Sequence, residues 1–344
     1  MIDAWLQLAL EQNRRQALKL DENLAPLMYS LLDFTARPGK RIRPFLALWG
    51  YLGAGGVRTE TVLPVCAAAE LLHVFALAHD DVMDQSDLRR GLPTVHKQWA
   101  ECHRATGWKG SPEQLGLSVA ILLGDLALVV ANGLLETAPL EAGIKDRVRA
   151  VWNSMREEVI EGQFLDVVAS CRPEPASEAE IMSILSLKSG KYTLERPLHL
   201  GAAAAGASDH VLASLSAFGV PLGRAFQIQD DILGVFGSSE CVGKPVDSDI
   251  KEGKSTLLVS RAYQMASETE RKLILSTWGN PESSEQNVEE LRNVICSTGA
   301  LAYSESEAAK MAEEARCALG TAEITDECRE MLTGLAVFVL NRDS

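Results

Sequence analysis

Apolar residues recur at three- and four-residue spacing along nearly the whole chain, and strand-like alternation is almost absent. The helical pattern breaks at Arg37-Pro38-Gly39, Gly53–Gly56, Thr106–Pro112, Ala138–Gly143, Cys171–Ser177, Gly206–Asp209, Gly237–Gly253 and Gly279–Ser283. These breaks predict an all-α protein of roughly ten to twelve helices. No shift in composition marks a boundary, so residues 1–344 read as a single large domain.

One segment has an unusual face. Val62, Cys66, Ala69, His73, Ala76, Asp80 and Asp84 step by four and three, so a helix places them in one stripe. That stripe runs from small and apolar to acidic along its length. A surface helix normally sets an apolar stripe against a polar face instead. A narrow greasy cavity with an acidic mouth would produce this pattern. The most apolar stretch, Leu117–Leu135, is long enough to span a bilayer, but Asp125 and Asn132 interrupt it, which predicts a buried core helix and no transmembrane segment.

Composition narrows the function classes. With 47% hydrophobic residues the chain can bury a large core, and a net charge of −14 argues against nucleic acid as the main partner. Seven cysteines without a CxxC pair read as thiols of a reducing compartment. The start, Met1-Ile2-Asp3-Ala4-Trp5, lacks a basic segment followed by an apolar run. Together these predict a cytoplasmic protein.

Against the acidic background, six clusters carry chemistry. Asp80 and Asp84, four apart in Asp80-Asp81-Val82-Met83-Asp84, repel each other unless a cation lies between them. Mg²⁺ held by few carboxylates usually takes phosphate oxygens as further ligands. Arg89 and Arg90 follow at once, suited to the remaining phosphate charge. Gly39-Lys40-Arg41-Ile42-Arg43-Pro44 places basic residues at a helix start, where backbone amides favour an anion. Gln163 and Asp166 share a helix face in Glu161–Asp166, and Lys188-Ser189-Gly190-Lys191 follows on the next helical segment. Gln227-Ile228-Gln229-Asp230-Asp231 forms a second acidic helix, but Gly234 stands four residues after Asp230, so no carboxylate repeats one turn on. The segment from Gly237 to Lys254, with lysines inside and glycine near each end, suits a lid over phosphate.

In one order these motifs are GKRIRP, DDVMD with LRRG, GQFLD, KSG, FQIQDDIL, and GK with EGK. From about Gly39 to Lys254 the chain resembles the trans-isoprenyl diphosphate synthases, or polyprenyl synthetases. The resemblance implies helices around a deep central cavity, a homodimer, and Mg²⁺-dependent head-to-tail condensation of isopentenyl diphosphate with an allylic diphosphate (dimethylallyl, geranyl or farnesyl). It implies that Asp80 and Asp84 hold two Mg²⁺ ions and Asp230 a third. Arg89, Lys188 and Lys244 would grip the allylic diphosphate, and Lys40, Arg43, His73 and Arg90 would bind isopentenyl diphosphate. Ser189 and Gln227 would face the developing carbocation, and Lys254 would cap the closed lid. Gly234 departs from the pattern, since many members carry a third Asp there, and a weaker metal grip at the second motif is expected.

A class I terpene cyclase would not need two basic anion sites. A regulatory subunit of a heteromeric synthase would be expected to lose Asp80, Asp84 or Asp230, and all three are present. For product length, Phe75 lies five residues before Asp80, about 7.5 Å along a helix axis. The resemblance links an aromatic at this position, with small Ala76 beside it, to a geranylgeranyl (C20) product. The alternative is a farnesyl (C15) product.

Overall fold

The computed structural model describes residues 1–237 and 247–340. The chain folds as α1 (Ile2–Leu20), a 3₁₀ turn (Glu22–Leu24), α2 (Ala25–Ala36), α3 (Ile42–Gly53) and α4 (Thr59–Met83). A hairpin of β1 (Leu88–Arg89) and β2 (Leu92–Pro93) follows, then α5 (Val95–Thr106), α6 (Pro112–Thr137) and α7 (Ala142–Ser170). Next come α8 (Glu178–Ile184), a π-helix (Leu185–Glu195), α9 (Arg196–Ala204), α10 (Asp209–Phe236) and α11 (Ser248–Lys251). The C-terminal part holds α12 (Leu257–Met265), α13 (Glu268–Thr277), α14 (Glu285–Ser297), α15 (Ala300–Leu319) and α16 (Asp326–Leu340).

The all-α reading holds, with more helical segments than the ten to twelve expected. The excess comes from stops that need only one or two residues. Ser267 caps α13 in a reciprocal box with Glu270. Gly299, at φ 76°, separates α14 from α15.

Two hydrophobic clusters organise the packing. One gathers α4 with α1, α6 and α7 through residues such as Leu71, Leu123 and Trp152. The other gathers α10 with α12–α16 through Phe218, Leu257, Leu291 and Leu332. Helices α3 and α9 contribute to both and seam them together. The seam is tight, because a Cβ at Gly201 would collide with the Ala47 carbonyl and one at Gly50 with the Leu198 carbonyl.

Three helices, α4, α6 and α10, are long and apolar enough to cross a membrane by length and composition. The expectation of a buried core helix at Leu117–Leu135 needs correction. α6 buries Ala120, Leu123, Ala127 and Ala131, yet Leu122 and Val129 are 58% and 64% exposed on its other side. The reason is positional. α6 packs mainly on α4 and α5, and among the described residues its second apolar face has no cover.

Candidate active site

Within the packed helix α4, His73, Ala76, Leu77, Asp80 and Asp84 remain half-exposed. Their spacing puts them on one face, which therefore borders open space. Asp80 lies in the last turn, and Asp84 is the residue that ends the helix. Carboxylates are unfavourable there, because a helix C-terminus already carries partial negative charge. Asp84 registers this. Burial, and then the neighbouring Asp80, push its carboxyl up to about 6. Its Oδ2 is buried without a hydrogen-bond partner, and Lys254 Nζ stands 3.6 Å away.

The paired arginines occupy a tight hairpin. Arg90 and Gly91, at φ 55° and 75°, form the two-residue turn between β1 and β2. The turn sends adjacent side chains to different places. Arg89 pairs with Asp81 at 2.6 Å and Asp80 at 3.4 Å. Arg90 donates to the Pro38 carbonyl, beside the loop that leads into α3.

On α7, Gln163 Nε2 donates to Asp80 Oδ1 at 3.0 Å. Lys188 Nζ bridges Asp166 at 2.6 Å and Asp80 at 3.4 Å. Burial opposes the lysine charge, but Asp80 and Asp166 outweigh it and raise its pKa. These contacts join α4, α7 and the π-helix at one point.

The second acidic helix supplies a relay. Ser189 Oγ donates to Gln227 Oε1 at 2.8 Å, and Gln227 Nε2 donates to Asp231 Oδ1 at 3.0 Å. Burial pushes the Asp231 carboxyl well above its usual range. Asp231 thus holds Gln227, while half-exposed Asp230 lies one position earlier on α10.

Gly234 acquires a reason here. A Cβ at 234 would collide with Asp249 Oδ2, so the glycine admits a carboxylate from α11. Asp249 also pairs with Lys254 at 3.3 Å, and Lys254 reaches Glu252 at 3.1 Å as well as Asp84. Burial opposes the charge on Lys254, yet these carboxylates raise its pKa well above the usual value. Lys254 therefore links Asp84 of the first acidic motif to Asp249 of α11. Lys244 and half of the expected lid, residues 238–246, lie outside the described residues.

A cationic pocket adjoins this centre. His73 sits half-buried on α4, and burial, then Arg43, Arg90, Arg89 and Arg41, hold its pKa well below the usual value. Arg43 Nη2 donates to Thr193 Oγ1 at 2.7 Å, and the guanidinium lies over Tyr192, 4.2 Å from the ring centroid. Lys40 is exposed, with its ammonium 5.9 Å from the Phe338 ring.

Phe75 is placed differently from Ala76. Five helical steps rotate it about 140° from Asp80. Its ring packs on His79, 4.7 Å between centroids, and His79 Nε2 lies 3.0 Å from the Ile121 carbonyl of α6. Phe75 thus lies on the His79 side of α4, toward α6, while Ala76 and Leu77 are on the open stripe.

The donor set fits Mg²⁺. Asp80 and Asp84 share an open face, and one buried oxygen of Asp84 lacks a partner. Among the described residues no three His, Cys, Asp or Glu side chains converge as a closed metal cage. Mg²⁺ bound by few carboxylates and by substrate phosphates needs no such cage. Sequence reading missed Asp249, Leu77, Tyr192 and Thr193. Asp249 lay in the lysine-containing lid segment, and Tyr192 and Thr193 follow the KSG motif. Their adjacency was the available signal, but neither residue type announces a role.

A polyprenyl synthetase model matches residues 25–295. A geranylgeranyl diphosphate synthase of Saccharolobus solfataricus is 36% identical over 76% of this chain and 74% of its own length. A geranylfarnesyl diphosphate synthase of Aeropyrum pernix is 32% identical over 88% of this chain and 90% of its own. Among solved structures, a geranylgeranyl pyrophosphate synthase from Corynebacterium glutamicum, complexed with isoprenyl diphosphate and magnesium, superposes with a TM-score of 0.93 at 36% identity. That match covers 99% of this chain and 98% of the other.

Proposed function

The chain belongs to the polyprenyl synthetase family, and from that premise we propose that it is a prenyltransferase making geranylgeranyl diphosphate. It joins isopentenyl diphosphate head to tail to an allylic diphosphate. The observation that carries this reading is the split of Arg89 and Arg90. One faces the carboxylates of α4 and the other faces the basic loop before α3. Two neighbouring anion sites are what a reaction between two diphosphates requires.

Asp80, Asp84 and Asp230 are the residues that would hold three Mg²⁺ ions. When bound, Mg²⁺ supplies positive charge to the departing diphosphate. Arg89 and Lys188 add charge to the same group. Lys244 and Lys254 join them from the segment after α10. The allylic C–O bond breaks, and Ser189, whose proton is committed to Gln227, turns its lone pairs toward the cation. Lys40, Arg43, His73 and Arg90 hold isopentenyl diphosphate so that its terminal carbon attacks. A new C–C bond forms, and a proton leaves to the released diphosphate. Apolar walls exclude water from the cation.

We read the protein as a cytoplasmic homodimer of one domain. The exposed apolar face of α6, with Ile121, Leu122 and Val129, supports a second copy as its cover. Leu122→Glu with Val129→Lys should halve the mass in light scattering, and an unchanged mass would place the interface elsewhere. For the activity, labelled isopentenyl diphosphate is incubated with dimethylallyl, geranyl or farnesyl diphosphate and the products are separated by carbon number. A C20 product that disappears with chelator and returns with Mg²⁺ is expected. Turnover undiminished in excess chelator would sink the mechanism, and a C15 end product would sink the length.

A further inference from the structure

The π-helix carries residues of both anion sites. Lys188 and Ser189 meet Asp80 and Gln227, while Tyr192 and Thr193 meet Arg43 and His73. In an α-helix, residues five apart point about 140° away from each other. The π register bonds i to i+5 and brings such residues toward one side. Lys188 and Thr193 are five apart.

Resting on the proposed condensation, we infer that Tyr192 and Thr193 are positioning residues that seat Arg43 for isopentenyl diphosphate. Thr193, 5% exposed, takes one guanidinium arm at 2.7 Å. Tyr192, 3% exposed, supports the guanidinium plane from below at 4.2 Å and consumes none of its donors. Arg43 Nε is buried with no hydrogen-bond partner. A buried donor of this kind is set up for an acceptor that arrives with the ligand. The Tyr192 hydroxyl also lies 3.4 Å from His73 Nδ1, so one ring touches two residues of the pocket. A planar guanidinium binds phosphate well only when its plane is fixed, and the π-helix fixes it from the strand of chain that also holds Lys188.

Steady-state kinetics on the full-length enzyme test this. Thr193→Val and Tyr192→Leu should each raise the KM for isopentenyl diphosphate about tenfold. The KM for the allylic primer should stay within about twofold. Thr193→Ser and Tyr192→Phe, which keep the hydroxyl and the ring respectively, should behave as wild type. In an Arg43→Ala background, Thr193→Val should add nothing, because its effect passes through Arg43. Equal rises in both KM values, an unchanged KM for isopentenyl diphosphate, or full additivity with Arg43→Ala would overturn the inference. A wild-type enzyme that does not use isopentenyl diphosphate would instead overturn the condensation itself.

Discussion

The two acidic motifs present their carboxylates with different parts. On α4, Asp80 and Asp84 come from one helix, one turn apart, and face the same space. On α10, the turn after Asp230 offers Gly234, and the second carboxylate comes from Asp249 on α11. The first arrangement is rigid by construction, since one helix sets both side chains. The second depends on a segment packed from elsewhere and on Lys254, which joins Asp249 to Asp84. A glycine that looked like a lost ligand is the opening through which another carboxylate enters.

If the α4 pair is the principal metal site, Asp80→Ala and Asp84→Ala should each lower turnover about a thousandfold. Circular dichroism should show an intact helical fold. Near-normal turnover in either variant would break the comparison at its stronger end.

The α10–α11 arrangement should be softer. Asp249→Asn is expected to cost about ten- to a hundredfold in turnover and to weaken Mg²⁺ binding measured by calorimetry. Gly234→Ala should do similar damage, because its methyl would displace the Asp249 carboxylate. If Gly234→Ala is silent, the pairing of Gly234 with Asp249 has no functional content.

The arginine turn beside α4 can be split by kinetics. Arg90→Ala and Lys40→Ala should raise the KM for isopentenyl diphosphate about tenfold, and Arg89→Ala should act on the allylic primer instead. Identical profiles for Arg89→Ala and Arg90→Ala would mean that the hairpin does not separate two sites.

Lower on α4, Phe75→Ala should lengthen products assayed with farnesyl diphosphate, and Ala76→Phe should shorten them, with total incorporation little changed. Because Phe75 packs on His79 toward α6, unchanged lengths in Phe75→Ala would assign the floor to the open stripe of Ala76 and Leu77.

The smallest effect concerns stability. Burial and the surrounding arginines keep His73 neutral in the fold, with its pKa well below the ordinary 6.5. The unfolded chain therefore binds more protons below that pH, so stability falls as pH drops through about 6.5. Urea unfolding of His73→Gln should show a shallower loss between neutral and mildly acidic pH. An unaltered slope would mean that His73 is not held neutral.

The sequence by itself determined the elements and the local chemistry. Helical periodicity, the four-residue spacing of Asp80 and Asp84, and the doubled arginines are properties of one stretch of chain, so a short-range pattern reveals them. The family resemblance added the two-substrate logic and the roles expected of Lys188, Ser189 and Gln227. Only the tertiary structure decided which arginine meets the α4 carboxylates and which meets the loop before α3, because a positive-φ turn at Arg90-Gly91 separates them. It alone put Asp249 over Gly234, Tyr192 and Thr193 under Arg43, and Phe75 on His79 toward α6. It also left one apolar face of α6 outside the core. Each of these depends on how separate elements approach, and a packing geometry between distant segments leaves no periodic trace along the chain.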